Sequence, residues 1–288
     1  MRSENMLICP LCKASLAAEG RSFYCTGEKR HCYDTASSGY VNLLPPGKKS
    51  NAKTGDDKEM LRCRRAFLFE GHYDPISEAA AKEALSVLGQ RDTLSFVDAG
   101  CGDGYHALNI EKYYKGLGID CYGVGLEASK HGAEAAAKLA RREGRSAFFA
   151  AANIFDMPLS DKSCDIVFSM FAPVPDSEAL RVLKDDGVLL VCSSGSRHLW
   201  EMREVIYGEP RLSEPLSRVP EGFRLAKKAS LEYSFTLDSK ESIASLFTMT
   251  PFYYRCPKEG RERLLSLESL TVRAETEYKV YVKADNKE

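Results

Sequence analysis

Two groups of residues in this chain have the types and spacing that do chemistry. Cys9 and Cys12 stand as C-x2-C around Pro10, and Cys25, His31 and Cys32 follow close behind. Thiolate and imidazole donors on tight knuckles suit tetrahedral Zn2+, whose structural sites take four protein ligands and leave no position for water. Cys9, Cys12 and Cys25 supply three ligands, and His31 or Cys32 the fourth. A redox C-x-x-C fits less well, because that motif opens a helix after a strand and nothing of that kind follows here. The second group is the run Asp98-Ala-Gly100-Cys-Gly102-Asp-Gly104, entered from the short apolar strand at residues 94–99. A strand ending in glycines lets backbone approach a ligand closely at the carboxyl edge of a doubly wound sheet. The dinucleotide fingerprint G-x-G-x-x-G is not met, since Tyr105 stands where its last glycine belongs. At the end of the next strand, CYGVGLE, Glu127 can accept hydrogen bonds from both hydroxyls of a ribose.

The elements that position these groups read as two unequal domains. Residues 1–44 are a zinc ribbon of short strand-like pieces with turns at Gly20 and Gly27, too small for a core of its own, so that metal supplies most of its folding energy. Residues 45–60 are a polar, lysine-rich linker. Residues 61–288 are the larger domain. It opens on a basic helical stretch carrying Arg62, Arg64 and Arg65, and then Asp74 and Pro75 read as cap and first turn of a helix with Ile76, Ala80, Ala84 and Leu88 on one face. A helix capped by Ser129 and stopped at Gly144 follows Glu127; a third strand over 146–152 leads to Asn153, and CDIVFSMF is a fourth.

Composition narrows the function classes. The chain has 288 residues, 44% hydrophobic and 28% charged, with no apolar run of the ~20 residues a membrane span requires. The N-terminus has no signal-like apolar stretch, so the cytoplasm is expected. Of ten cysteines, four crowd into the first segment and six are scattered, which suits a reducing compartment with one metal site rather than a disulfide framework. A formal charge of −1 gives none of the overall basic bias of many nucleic-acid binders, so any RNA contact rests on local patches.

The D-x-G-x-G-x-G loop resembles motif I of class I methyltransferases, which cradles the methionine part of S-adenosylmethionine. That resemblance implies an α/β, Rossmann-like fold: a seven-stranded sheet with an antiparallel last hairpin, joined here to the small N-terminal zinc ribbon. The helix-turn-strand RVLKDDGVLLV, the strand LEYSFTL, the helix SKESIASLF and the final strand TVRAETEYKVYVK have the required order. Taken alone, the glycines could be only a turn, Glu127 a helix-start acid and Asn153 a loop residue; their order and spacing set the cofactor reading ahead of a generic nucleotide site.

Nearly the whole chain resembles the bacterial 23S ribosomal RNA (guanine-N1)-methyltransferases, through CPLC, RHCYDTASSGYVNLLP, RRAFLFEGHYDPI, VDAGCGDGYH, FAP, RHLWEM and MTPF. The resemblance implies a homodimer that methylates a guanine in a hairpin of 23S rRNA lining the peptide exit tunnel, a zinc ribbon that helps hold that RNA, and in some members macrolide resistance. It implies zinc on Cys9, Cys12, Cys25 and His31, with Cys32 as a substitute because the second knuckle is longer than the family's. It also implies S-adenosylmethionine against Tyr73, Asp98, Gly100, Gly102, Gly104, Tyr105, Glu127, Asn153 and His198. Arg62, Arg64, Arg65, Phe171 and Pro173 are candidate substrate contacts, Phe171 by stacking on the base; no general base is assigned. A small-molecule methyltransferase would leave the zinc module and the arginine cluster without a role. A non-catalytic RNA-binding protein would require a degenerate cofactor loop, and this one is intact.

Overall fold

The structure, a computed structural model, describes residues 6–45, 58–214 and 217–284. The linker expected over 45–60 therefore lies, for residues 46–57, outside the described residues. The first segment holds β1 (Leu16–Glu19), β2 (Ser22–Cys25) and β3 (Cys32–Asp34), a three-stranded antiparallel sheet, and β4 (Val41–Asn42). Then come α1 (Lys58–Leu68), α2 (Asp74–Leu88), β5 (Thr93–Ala99), α3 (Tyr105–Gly116), β6 (Asp120–Glu127), α4 (Lys130–Arg142), β7 (Phe148–Ala151) and β8 (Cys164–Met170). The chain closes with α5 (Asp176–Val182), β9 (Leu183–Ser194), α6 (Trp200–Tyr207), β10 (Phe223–Leu237), α7 (Lys240–Thr248), α8 (Lys258–Ser266) and β11 (Leu270–Lys283).

The large sheet runs β10-β11-β9-β8-β5-β6-β7-β4. Seven of these strands are the expected ones, parallel except for β11, which opposes both β9 and β10. The eighth is β4, which leaves the N-terminal segment and pairs in parallel with β7, Val41 against Ala150. It covers an edge that would otherwise expose unpaired backbone groups. At the centre, all seven residues of β8 are buried, as a strand covered on both faces must be.

Local chemistry explains most boundaries. The Ser129 hydroxyl accepts from the Gly132 amide at the start of α4, whose Ala133, Ala136, Ala137 and Ala140 are buried. In α2 the buried face contains Ile76, Ala80, Ala84 and Leu88, as the spacing predicts. Its cap differs from expectation: Tyr73 occupies that position, and Asp74 begins the helix. The Asp74 carboxylate is taken instead by two side chains of α3, accepting from the Tyr105 hydroxyl and from Asn109 Nδ2 at 2.9 Å. The expected turn between α5 and β9 is also absent; the strand follows the helix directly, and its pairing with β8 is irregular between Cys164 and Ile166.

The two parts of the chain share a core. Leu7, Phe23, Val41 and Leu43 pack in one buried cluster with Val97, Ile154, Leu159 and Leu189 of the larger domain. Backbone joins them too, through Ile8 N–H to Pro158 O at 2.9 Å and Ser160 N–H to Met6 O at 2.8 Å.

Candidate active site and metal centre

At the ribbon, Cys9, Cys12, Cys25 and His31 converge, with one ligand atom from each lying within 4.8 Å of all the others. Nδ1 of His31 is 3.4 Å from the Cys9 sulfur and 3.5 Å from that of Cys25, while the Cys12 and Cys25 sulfurs are 3.7 Å apart. Zn–S bonds of ~2.3 Å at tetrahedral angles put sulfurs ~3.8 Å apart, so the cage has the size of a zinc site. The His31 amide donates to the Cys25 sulfur at 3.0 Å, and Tyr33 Oη lies 3.1 Å from that of Cys9; such partners orient the thiolates and tune their basicity. Gly27 packs closely on the cage: a Cβ there would stand 3.2 Å from the Cys12 sulfur and 3.3 Å from the Ala14 Cβ. Cys32 is exposed, with its sulfur 3.8 Å from Asp34 Oδ1, and stays outside the cage.

The glycine loop forms the floor of a cavity of about 810 Å³ at the carboxyl ends of β5, β8 and β9. Gly100, Gly102 and Gly104 all have positive φ. At Gly104 a Cβ would meet Ala136 at 2.8 Å and the Phe149 ring at 3.0 Å, so only glycine closes the turn. Beneath the loop and outside the cavity lining, Asp98 is fully buried; among the described residues neither carboxylate oxygen makes a hydrogen bond of ordinary geometry, and the Ala107 backbone N–H gives it only weak support. Burial first, and then the Glu127 charge, push its pKa up to about 7. A buried, weakly supported carboxylate is a receptor for a cation, and the methionyl ammonium of S-adenosylmethionine has the right charge. One oxygen of Glu127 accepts from the Gly102 amide at 3.0 Å and the other from Ser129 at 2.7 Å, fixing its carboxylate at the rim of the loop.

Tyr73 and His198 meet although remote in sequence. His198 Nδ1 lies 3.0 Å from the Glu275 carbonyl oxygen and 3.2 Å from the Glu275 amide nitrogen, and its Nε2 is hydrogen-bonded to the Tyr73 hydroxyl at 3.1 Å. Burial lowers the His198 pKa to about 4 and raises that of Tyr73, so both are neutral. They line the cavity with Arg64 and Phe171. The Phe171 ring lies between two imidazoles, 5.9 Å from His106 and 6.2 Å from His198. Phe171 holds φ +54° and is 41% exposed, and Leu199, also in the wall, likewise has φ +54°. Left-handed backbone at bulky residues costs energy and concentrates at working sites.

Other expected residues do not form this wall. Asn153 uses its amide oxygen to accept from Phe155 N–H at 3.0 Å. Tyr105 is committed to Asp74, and the Pro173 carbonyl lies 3.5 Å from Ser169 Oγ. Arg62 pairs with Glu59 at 2.6 Å and Arg65 lies over Phe69, so of the three arginines Arg64 is the one that reaches the cavity. Sequence reasoning gave no site role to Asp103, His106, Ser193, Ser194 or Tyr254, nor to Met249 to Phe252, the motif MTPF, all in the wall. Asp103 precedes the last glycine and His106 stands two residues after it, and that nearness in sequence was the available signal.

Comparison with known proteins agrees with this architecture. The zinc-ribbon family described as RlmA, N-terminal, matches residues 7–52, and a methyltransferase-domain family matches residues 90–231. A Bacillus subtilis protein with the provisional name 23S rRNA (guanine-N1)-methyltransferase is 30% identical over 97% of this chain and 98% of its own. The 23S rRNA (guanine(748)-N1)-methyltransferase of Streptomyces fradiae is 30% identical over 92% of this chain and 91% of its own. The chain therefore belongs to the 23S rRNA (guanine-N1)-methyltransferase family, a structural zinc ribbon joined to an S-adenosylmethionine-dependent methyltransferase domain.

Proposed function

We propose that this protein methylates N1 of a guanine in a hairpin of 23S rRNA, drawing the methyl group from S-adenosylmethionine. The observation that carries the reading is the joining of a zinc cage and a glycine-floored cavity on a chain matched along almost its whole length by relatives named for that reaction. The substrate brings a base whose N1 is hidden in a pair, so it must be unpaired or extruded before it reaches the cavity.

Bound S-adenosylmethionine supplies an activated sulfonium methyl. In our assignment the Asp98 carboxylate holds the ammonium, and Gly100, Gly102 and Gly104 give the methionyl part close backbone contact. Glu127 accepts from the ribose hydroxyls with the lone pairs its amide bonds leave, and Asn153, with Tyr105 behind the loop, completes the adenosine side. Tyr73 and His198 are locked together in neutral form, so they align the reacting groups without adding charge beside a sulfonium. Phe171 stacks on the guanine, with Pro173 shaping the turn behind it, and Arg64 faces the RNA; Arg62 and Arg65 give the same helix a basic surface. The N1 proton passes to solvent water as negative charge develops on O6, and no side chain is assigned as its acceptor.

Residues 1–44 serve as the RNA-recognition module and 61–288 as the catalytic one, working as a homodimer in the cytoplasm. Among the described residues no helix is long and apolar enough to cross a membrane. Transfer of labelled methyl from S-adenosylmethionine to unmodified 23S rRNA is the test. Label in that RNA is the expected result; cofactor binding with no RNA labelled would favour a small-molecule acceptor, and light scattering reads the dimer.

A further inference from the structure

The zinc module touches the larger domain at a second place, away from the cavity. The turn after β3 closes through Gly39 N–H to Ala36 O at 2.9 Å and lies against α4, where Arg141 donates to the Ser37 carbonyl at 3.2 Å. A groove of about 630 Å³ follows this seam, lined by Ser37, Ser38, Lys138, Arg141 and Arg142. It has three cationic side chains and, among the described residues, no acidic one in its wall. Ser38 is only 7% exposed, yet its hydroxyl has no hydrogen-bond partner among the described residues. Buried polar groups are rarely left so, and an orphaned hydroxyl among cations is a receptor for an anion's oxygen.

The basic residues of α4 have a simpler use, since Arg141 and Arg142 in its last turn complement the helix dipole. That accounts for neither Lys138 nor the unpartnered hydroxyl. Neighbouring carboxylates offset part of this charge. Glu134 pairs with Lys138 at 2.8 Å and Glu143 with Arg142 at 3.5 Å, both exposed pairs of the kind that contributes little and yields to a phosphate.

Side-chain contacts lead from the groove towards α1, one helix of the cavity wall. The Arg142 guanidinium sits 4.5 Å from the ring centre of Phe69, and that of Arg65 5.7 Å from it. Phe69 is 47% exposed, an aromatic face flanked by two cations just beyond α1. Arg65 adjoins Arg64, which lines the cavity.

We propose that this seam is an RNA-backbone contact outside the methyl-transfer cavity: Ser38, Lys138, Arg141 and Arg142 hold phosphates, and Phe69 takes an unpaired base. The inference rests on the rRNA reading above and adds where the strand lies. Because the groove is built from both modules, it forms only while the ribbon is docked, so RNA binding here reports on an intact seam.

Binding of the 23S rRNA tunnel hairpin, measured across a salt series, tests it. The double variant Lys138→Gln, Arg142→Gln is expected to bind ~10-fold or more weakly at 0.1 M salt, with its log–log salt slope shallower by about 1.5, as loss of two phosphate contacts requires. Its KM for RNA should rise in step, while kcat at saturating RNA and affinity for S-adenosylmethionine stay unchanged, which also reports intact folding. Ser38→Ala should lose ~3-fold with little change of slope, and Phe69→Leu ~5-fold or more. Unaltered affinity and slope in the double variant would overturn the proposal. Failure of the unaltered protein to bind the hairpin at all would sink the rRNA reading and this surface with it.

Discussion

The zinc ribbon and the methyltransferase sheet reach order by opposite means. In the ribbon, β1 has one buried residue out of four and β3 none, and what gathers these strands is a cage of four side chains. In the sheet, β8 is buried throughout and β5 and β6 each bury five residues; packing alone sets their places. A metal-held module depends on every ligand, whereas a packed one spreads its stability over many contacts. The two are nevertheless sewn together by β4 and by the cluster around Leu7, Val41 and Leu159, so loss of metal should be felt at the seam before it is felt at the cofactor loop.

The largest effect should come from breaking the cage. Cys12→Ser, or removal of metal by a chelator, is expected to lower RNA affinity at least ~100-fold, since structural zinc contributes ~10 kcal/mol or more to such modules. Affinity for S-adenosylmethionine should change less than ~3-fold. Metal content and both affinities, measured together, check it; a parallel loss of cofactor binding would mean that the modules fold as one.

Next is the floor of the cavity. Gly104→Ala puts a Cβ at 2.8 Å from Ala136 on a backbone with φ +83°, which should cost ~2–4 kcal/mol and roughly a hundredfold in cofactor affinity. Calorimetric binding reads this directly, and zinc content should not move.

Asp98 gives a pH signature confined to the larger domain. Its folded-state pKa, about 7, stands above its ordinary 3.8, so the cofactor-free protein binds more protons folded than unfolded and loses stability as pH rises from about 4 to about 7. An ammonium partner favours the ionised form, so affinity for S-adenosylmethionine should rise up to ~10-fold per pH unit below about 7 and then level off. Asp98→Asn should flatten that profile, weaken binding ~10-fold or more at pH 8 and raise the melting temperature of the cofactor-free protein there. An unchanged pH profile in the variant would remove Asp98 from the cofactor site.

The smallest effect belongs to the sulfur beside the cage. Cys32→Ser should leave zinc content and melting temperature unaltered, while His31→Ala lowers both.

That pair shows where the sequence was legible and where it was not. Donor types and spacing announce a zinc site, but His31 and Cys32 are neighbours in the chain. Only the entry into β3, where consecutive side chains point to opposite faces, decides which one turns inward. The glycine loop and Glu127 could be read because a strand, a turn and a helix are local signals. By contrast β4 is two residues long, without a pattern, and its partner β7 is remote in sequence. Met249 to Phe252 and Tyr254 reach the cavity wall only through tertiary packing, and Asp74 was misread as a cap because its partners, Tyr105 and Asn109, lie on another helix.

The most direct test of the central claim is reverse transcription across 23S rRNA after incubation with the zinc-loaded protein and S-adenosylmethionine, because N1 methylation blocks Watson-Crick pairing. Arrest at a single guanine of the tunnel hairpin, with 1-methylguanosine in the digested RNA, is the predicted result. Read-through along the whole RNA by a preparation shown to bind both zinc and S-adenosylmethionine would contradict it.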